Sequence, residues 1–292
     1  MWEAIVLKSK KNLIINILIV IFTATFLISG FYIGRYYYTI YRSEKAVSDL
    51  KKLIEADSNV TDAKTTKDGQ VKKEYVDIKG VKVQKKFEKV YKKNSDFIGW
   101  LSIEGTKVDY PVMYTPKNEE FYLRNDFKKK WSIEGTPFAA GGCDPLKPSD
   151  NVIIYGHNMN TGTLFGELTN YADRSFYEKH KYIEFDTIKE DAKYEVIAAF
   201  KTEINFSNKN AFKYYKFFDA ADKNEFNDYV KRAKEACAYD IETTAKYGDK
   251  LLTLSTCSYH KNQGRYVVVA KRISVNNKDI ETKKKSKNKK NK

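Results

Sequence analysis

Residues 13–34, LIINILIVIFTATFLISGFYIG, run for 22 positions without a charge, and only Asn16, Thr23, Thr25 and Ser29 are clearly polar. As a helix rising about 1.5 Å per residue, the run covers roughly 30 Å, the hydrocarbon thickness of a bilayer. A cleaved secretory signal has a shorter apolar stretch, about 7–15 residues, ending at a small-residue site. Here the apolar run continues past Ser29-Gly30. The sequence therefore predicts a single transmembrane anchor, with residues 1–12 cytoplasmic and the rest of the chain outside. Lys8, Lys10 and Lys11 flank one end and Arg35, Arg42 and Lys45 the other, so basic charge alone sets no direction. A lone N-terminal span ahead of a long domain delivers that domain outward. Tyr32, Tyr36, Tyr37, Tyr38 and Tyr41 supply the aromatic belt of the outer interface.

The anchor explains part of the charge. Lys and Arg total 53 against 38 Asp and Glu, a net +15 that would suit a nucleic-acid binder if it were spread over the fold. Residues 1–52 hold 8 basic and 3 acidic groups, and residues 278–292 hold 8 lysines against Asp279 and Glu281. The 225 residues between carry only +4. No nucleic-acid partner is expected. The N-terminal share meets anionic lipid headgroups, and the segment 276–292 reads as a disordered basic tail, either a ligand for phosphate-rich wall polymer outside or simply a solvated end.

Between the ends the chain has the 42% hydrophobic content of a folded core. Three cysteines, Cys143, Cys237 and Cys257, build no disulfide framework and no C-x-x-C pair, and His157, His180 and His260 are dispersed. Phosphate-cradling glycine motifs are lacking too, so no cofactor and no metal is expected. Residues 35–56 suggest a helix leaving the membrane, and 57–80 have linker composition, so 35–85 reads as a stalk. Val83, Phe87, Val90 and Tyr91 then recur at helical spacing.

Eight short apolar runs follow, bounded by turn residues: 97–103, 108–113, 136–140, 151–155, 182–185, 194–204, 251–256 and 266–273. Eight strands with few helices predict a mostly β fold, a closed barrel or a sandwich. One long helix interrupts them. Asp222 and Glu225 have capping-box-like spacing, and Phe226, Tyr229, Val230, Ala233 and Cys237 follow on one face. Trp100 and Trp131 read as packing residues.

Chemistry concentrates where two strands end. Cys257 closes the run Leu251–Thr256 and opens a polar loop, after which Arg265 begins the next strand. A hairpin of that length brings Arg265 beside Cys257, where a cation favours the thiolate and a fixed guanidinium fork suits an oxyanion. His157 follows the strand 151–155 in the same way, and an imidazole at that mouth is an acid–base partner for a thiol. Spacing alone does not bring the two ends together. Cys143, after a Gly-Gly turn, reads as a loop thiol, Cys237 as a core residue, and His260 and His180 as solvated histidines.

The segment Thr253-Leu254-Ser255-Thr256-Cys257 with Gly264-Arg265-Tyr266-Val267-Val268 resembles the active-site signature of sortases, the cysteine transpeptidases of Gram-positive surfaces. Asn151 to Met159, NVIIYGHNM, resembles their catalytic-histidine strand, and Asp96–Leu101 and Gly105–Val112 resemble their first barrel strands. The similarity covers roughly residues 86–274, which makes 86–275 the catalytic domain, and the helix at 220–237 is similar to the class B insertion. The resemblance implies an eight-stranded sortase-type β-barrel with N-terminal helices and one long inserted helix. It implies that Cys257 attacks the threonine carbonyl of a C-terminal sorting motif on surface proteins. His157 would then serve as acid and base, and Arg265 as oxyanion stabiliser. Ser255 and Thr256 are candidate substrate contacts, and the acceptor would be an amine of the peptidoglycan precursor. A pilin-polymerising enzyme and a non-catalytic, membrane-tethered wall-binding module are the alternatives.

Overall fold

A computed structural model describes residues 2–61, 74–204, 211–259 and 262–280, with side chains described from residue 13 except at 58–61. The chain opens with one helix, α1 (Trp2–Thr61), and divides into two units, residues 1–45 and 46–292. The first unit carries a helix long and apolar enough to cross a membrane. From residue 13 to residue 38 its side chains are exposed, Phe22 being 71% and Phe26 77% exposed.

The second unit is built on a sheet. A hairpin of β1 (Tyr75–Ile78) and β2 (Val81–Gln84) comes first, then the short helix α2 (Glu88–Lys93). The hairpin corrects the reading of 35–85 as stalk alone. Lys79 (φ 53°) and Gly80 (φ 80°) both take left-handed backbone, the conformation of a two-residue turn whose twist matches its strands. The flanking alternation in YVDI and VKVQ was a strand signal hidden among lysines. The rest of that segment, residues 62–73, lies outside the described residues.

Eight strands then close a barrel: β3 (Phe97–Ser102), β4 (Asp109–Met113), β5 (Phe138–Ala139), β6 (Asn151–Tyr155), β7 (Tyr182–Thr187), β8 (Ala192–Glu203), β9 (Leu251–Cys257) and β10 (Gly264–Val275). A short helix, α3 (Arg174–Lys179), precedes β7, and α4 (Lys223–Glu235) lies between β8 and β9. Around the barrel the order is β10-β8-β7-β3-β4-β5-β6-β9, and β9 pairs back onto β10. The β4–β5 and β6–β9 pairs are parallel and the rest antiparallel, so the barrel is mixed. Closure leaves no exposed barrel edge. The final strand, β11 (Lys278–Asp279), folds back on β10 through left-handed Asn276 and Asn277. The fold thus runs past 275, where the tail was expected to begin, and residues 281–292 lie outside the described residues.

Two-residue periodicity sorts the barrel into faces. Leu252, Leu254, Tyr266, Val268 and Ala270 fill the interior, whereas Leu251, Val267 and Val269 face outward under α4. That helix buries Phe226, Tyr229, Val230 and Ala233, and burial of side chains this size contributes about 1.5–3 kcal/mol each for Phe and Val. The Asp222 carboxylate caps α4 by accepting from the Asn224 and Glu225 amides (2.7 and 2.9 Å). Glu225 accepts from the Ala221 amide, one residue before the N-cap amide that a capping box would use. Asp222→Ala should therefore lower stability by about 1 kcal/mol, read as a Tm loss of about 2–4 °C. A third cluster packs Leu50 of α1 with Val83, Phe87, Val90, Phe97 and Trp100.

Candidate active site

Parallel pairing of β6 and β9 solves what spacing left open. Their register runs from Asn151↔Leu251 to Tyr155↔Ser255, so the strand ends that carry His157 and Cys257 lie side by side. On the other flank of β9 the antiparallel register sets Arg265 directly opposite Cys257. Directly opposed residues project on the same face, with Cβ atoms about 4.5–5.5 Å apart. All three side chains line one cleft of about 250 Å³, together with Ser255, Thr256, Tyr155, Tyr215 and Leu123.

His157 is held by a backbone atom. Its Nε2 lies 2.9 Å from the Leu123 carbonyl. A carbonyl only accepts, so Nε2 carries the proton and Nδ1 is the ring's acceptor. Burial, and secondarily the Arg124 charge, lower the His157 pKa below the ordinary 6.5, against a smaller opposite effect of the Leu123 bond than of burial. The ring is therefore neutral at neutral pH. Gly156, just before it, packs so closely on the buried ring of Phe165 that an added Cβ would lie 2.7 Å from that ring, and this is why the position has no side chain.

Arg265 lines the cleft and donates from one guanidinium nitrogen to its neighbour's carbonyl, Gly264 O (2.9 Å), which fixes one arm of its donor fork. Its charge is felt by the buried hydroxyls of Tyr155 and Tyr214, whose pKa it lowers against the larger upward push of burial. The walls behind are fixed by hydroxyls. Ser255 is 1% exposed and bonded to Tyr214 (2.7 Å), and Thr256 Oγ1 donates to Gly156 O (2.7 Å). Both candidate substrate contacts thus turn their hydroxyls into the protein.

The other thiols and histidines sit apart. Cys143 lies on the bend after Gly141-Gly142, as its sequence suggested, but its side chain is 2% exposed in the barrel core and donates to Ala140 O, and burial pushes its pKa up to about 11. Cys237 lies just past the end of α4, accepts from the Ala199 amide (3.0 Å), and burial raises its pKa. His180 is half-buried, bonded to Glu104 O and packed on Phe176. His260 lies outside the described residues. Trp100 packs as expected and donates to Asp109, but Trp131 is 56% exposed. Sequence reasoning missed Leu123, Tyr214 and Asn158, whose Nδ2 donates to Cys257 O (2.9 Å). A backbone acceptor such as Leu123 O has no sequence signal.

The chain is similar to known proteins over most of the barrel. The sortase domain family matches residues 101–273. Sortase B of Staphylococcus aureus is 36% identical over 195 residues, covering 66% of this chain and 77% of that protein. Sortase B of Listeria monocytogenes is 27% identical over 266 residues, covering 90% and 98%. A solved Staphylococcus aureus sortase B–substrate complex superposes with a TM-score of 0.66 at 26% identity, covering 80% of this chain and 97% of that one. A mixed barrel with α4 inserted ahead of the β9–β10 hairpin, matched along its length by these relatives, means that the chain belongs to the sortase family of cysteine transpeptidases, and within it to class B.

Proposed function

We propose that this sortase cleaves a C-terminal sorting motif of surface proteins after its threonine and transfers the threonine acyl group to an amine of the peptidoglycan precursor. The observation that carries the reading is the convergence of Cys257, His157 and Arg265 on one cleft through the β6–β9 and β9–β10 registers. The Cys257 sulfur attacks the threonine carbonyl, and its proton passes to His157. Charge that develops on the carbonyl oxygen is stabilised by the Arg265 fork. As the tetrahedral intermediate collapses, the C–N bond breaks, and His157 returns its proton to the departing amine. What remains is a thioester on Cys257. The incoming amine then attacks that thioester, gives a proton to His157, and releases the sulfur with the new amide formed. Ser255 and Thr256 support this chemistry as wall residues.

Residues 13–34 anchor the enzyme in the cell membrane and residues 46–292 act outside it. Uncovered apolar side chains along that helix favour lipid as their surroundings. The Staphylococcus aureus relative was solved as a substrate complex, which supports substrate binding by this barrel.

The neutral imidazole gives a pH test. A histidine whose folded pKa is depressed takes up its proton only below 6.5. The stability it contributes is present above 6.5 and is lost as pH falls through the folded value. The acidic limb of kcat/KM should accordingly lie below 6.5 and disappear from the profile in His157→Ala. A limb at or above 6.5 would sink the assignment of His157 as a neutral base. The reading as a whole is tested by mixing full-length protein in detergent micelles with a sorting-motif peptide library and an added amine. A product joined to the amine supports transfer, and exclusive release of free acid contradicts it.

A further inference from the structure

The β6–β9 ladder stops just short of the chemistry. Its last register pair is Tyr155↔Ser255, followed by one backbone bond, from the Gly156 amide to Ser255 O (3.2 Å). Beyond that point two side chains do the pairing. Thr256 Oγ1 donates to Gly156 O (2.7 Å), and Asn158 Nδ2 donates to Cys257 O (2.9 Å). The bonded residues are those immediately before and after His157, and they grip Cys257 and the residue before it. On its far side the same loop is tied back by Phe165 N to His157 O (3.0 Å), and the Tyr259 hydroxyl donates to Asn158 O (3.3 Å).

We propose that Asn158 is a positioning residue which, with Thr256, forms a two-point clasp that sets the spacing between the His157 ring and the Cys257 sulfur. This rests on the reading of those two residues as base and nucleophile. The physical need is plain. The two strand ends are not held to each other by backbone pairing where the catalytic side chains emerge, and a displacement of about 1 Å costs about a hundredfold in rate. Asn158 acts through the Cys257 backbone and does not itself need to touch substrate.

The test compares full-length variants in detergent micelles, using the same peptide and amine. Asn158→Asp keeps the shape but has no N–H to donate. It should lower kcat by about ten- to a hundredfold while KM for the peptide stays within about twofold. Thr256→Val removes the second hydroxyl and should shift kcat the same way, and Thr256→Ser should restore it. Because both bonds set one distance, the double variant Asn158→Asp/Thr256→Val should lose less than the product of the single losses. The clasp is refuted if both single variants keep kcat within about threefold of wild type, if the loss falls on KM alone, or if the two losses multiply. Should Asn158→Asp fail to fold, the Thr256→Val and Thr256→Ser pair carries the test. Failure of the underlying reading looks different: Cys257→Ala would then still turn over the peptide.

Discussion

Cys257→Ala should abolish both cleavage of a sorting-motif peptide and its transfer to an added amine, whereas Cys143→Ala and Cys237→Ala should retain both. The chain holds only these three thiols, and their surroundings differ in kind. Cys143 sits in the barrel core, and a pKa near 11 leaves roughly one thiolate in ten thousand molecules at pH 7. Cys237 packs against both the interior and the α4 cluster, with its sulfur accepting a backbone amide. Only Cys257 stands at a strand end in a cleft, opposite a guanidinium and next to the strand that ends in a neutral imidazole. Peptide turnover followed by chromatography, together with alkylation mapping of the native protein, checks this. Activity that survives in Cys257→Ala, or is lost in Cys143→Ala protein that remains folded, would contradict it.

The second large effect is at Arg265. Truncation to alanine should lower kcat/KM by about 10²–10³-fold, the usual loss when a preorganised oxyanion donor is removed. Most of the fall should appear in kcat, because the oxygen carries full charge only in the tetrahedral state. Arg265→Lys should recover little of it. The ammonium is a point charge on a flexible stem, and one arm of the native fork is already fixed on Gly264 O, which orients the rest. A lysine variant within about threefold of wild type would show that charge alone suffices, and would remove the fork geometry from the mechanism.

How much of this was legible in the sequence depends on whether the cause was local. The Val- and Ile-rich runs at 151–155 and 266–273 read as strands because a short continuous β-branched stretch is written into each segment. The Arg265–Cys257 pairing was legible too, since one short hairpin dictates it. The meeting of His157 with Cys257 was not, because it depends on parallel pairing of strands about a hundred residues apart, which leaves no trace in either one. Only similarity to a known family pointed to it. Cys143 was legible as a loop residue after the Gly-Gly turn but not as a buried one, because its burial depends on packing with residues distant in sequence. The hairpin at 75–84 was lost for the opposite reason, its apolar residues being diluted by charged neighbours. The clasp formed by Asn158 and Thr256 was invisible because each side chain bonds a backbone carbonyl on the other strand.

The central claim, that the threonine acyl group passes through Cys257 to an amine, is tested most directly by quenched-reaction mass spectrometry. Full-length enzyme, sorting-motif peptide and amine are mixed, stopped in acid and digested. The mechanism predicts a transient acyl adduct on the peptide containing Cys257, and a final product in which threonine is joined to the amine. Finding the adduct on Cys143 or Cys237, or finding joined product while Cys257 is never acylated, would contradict it.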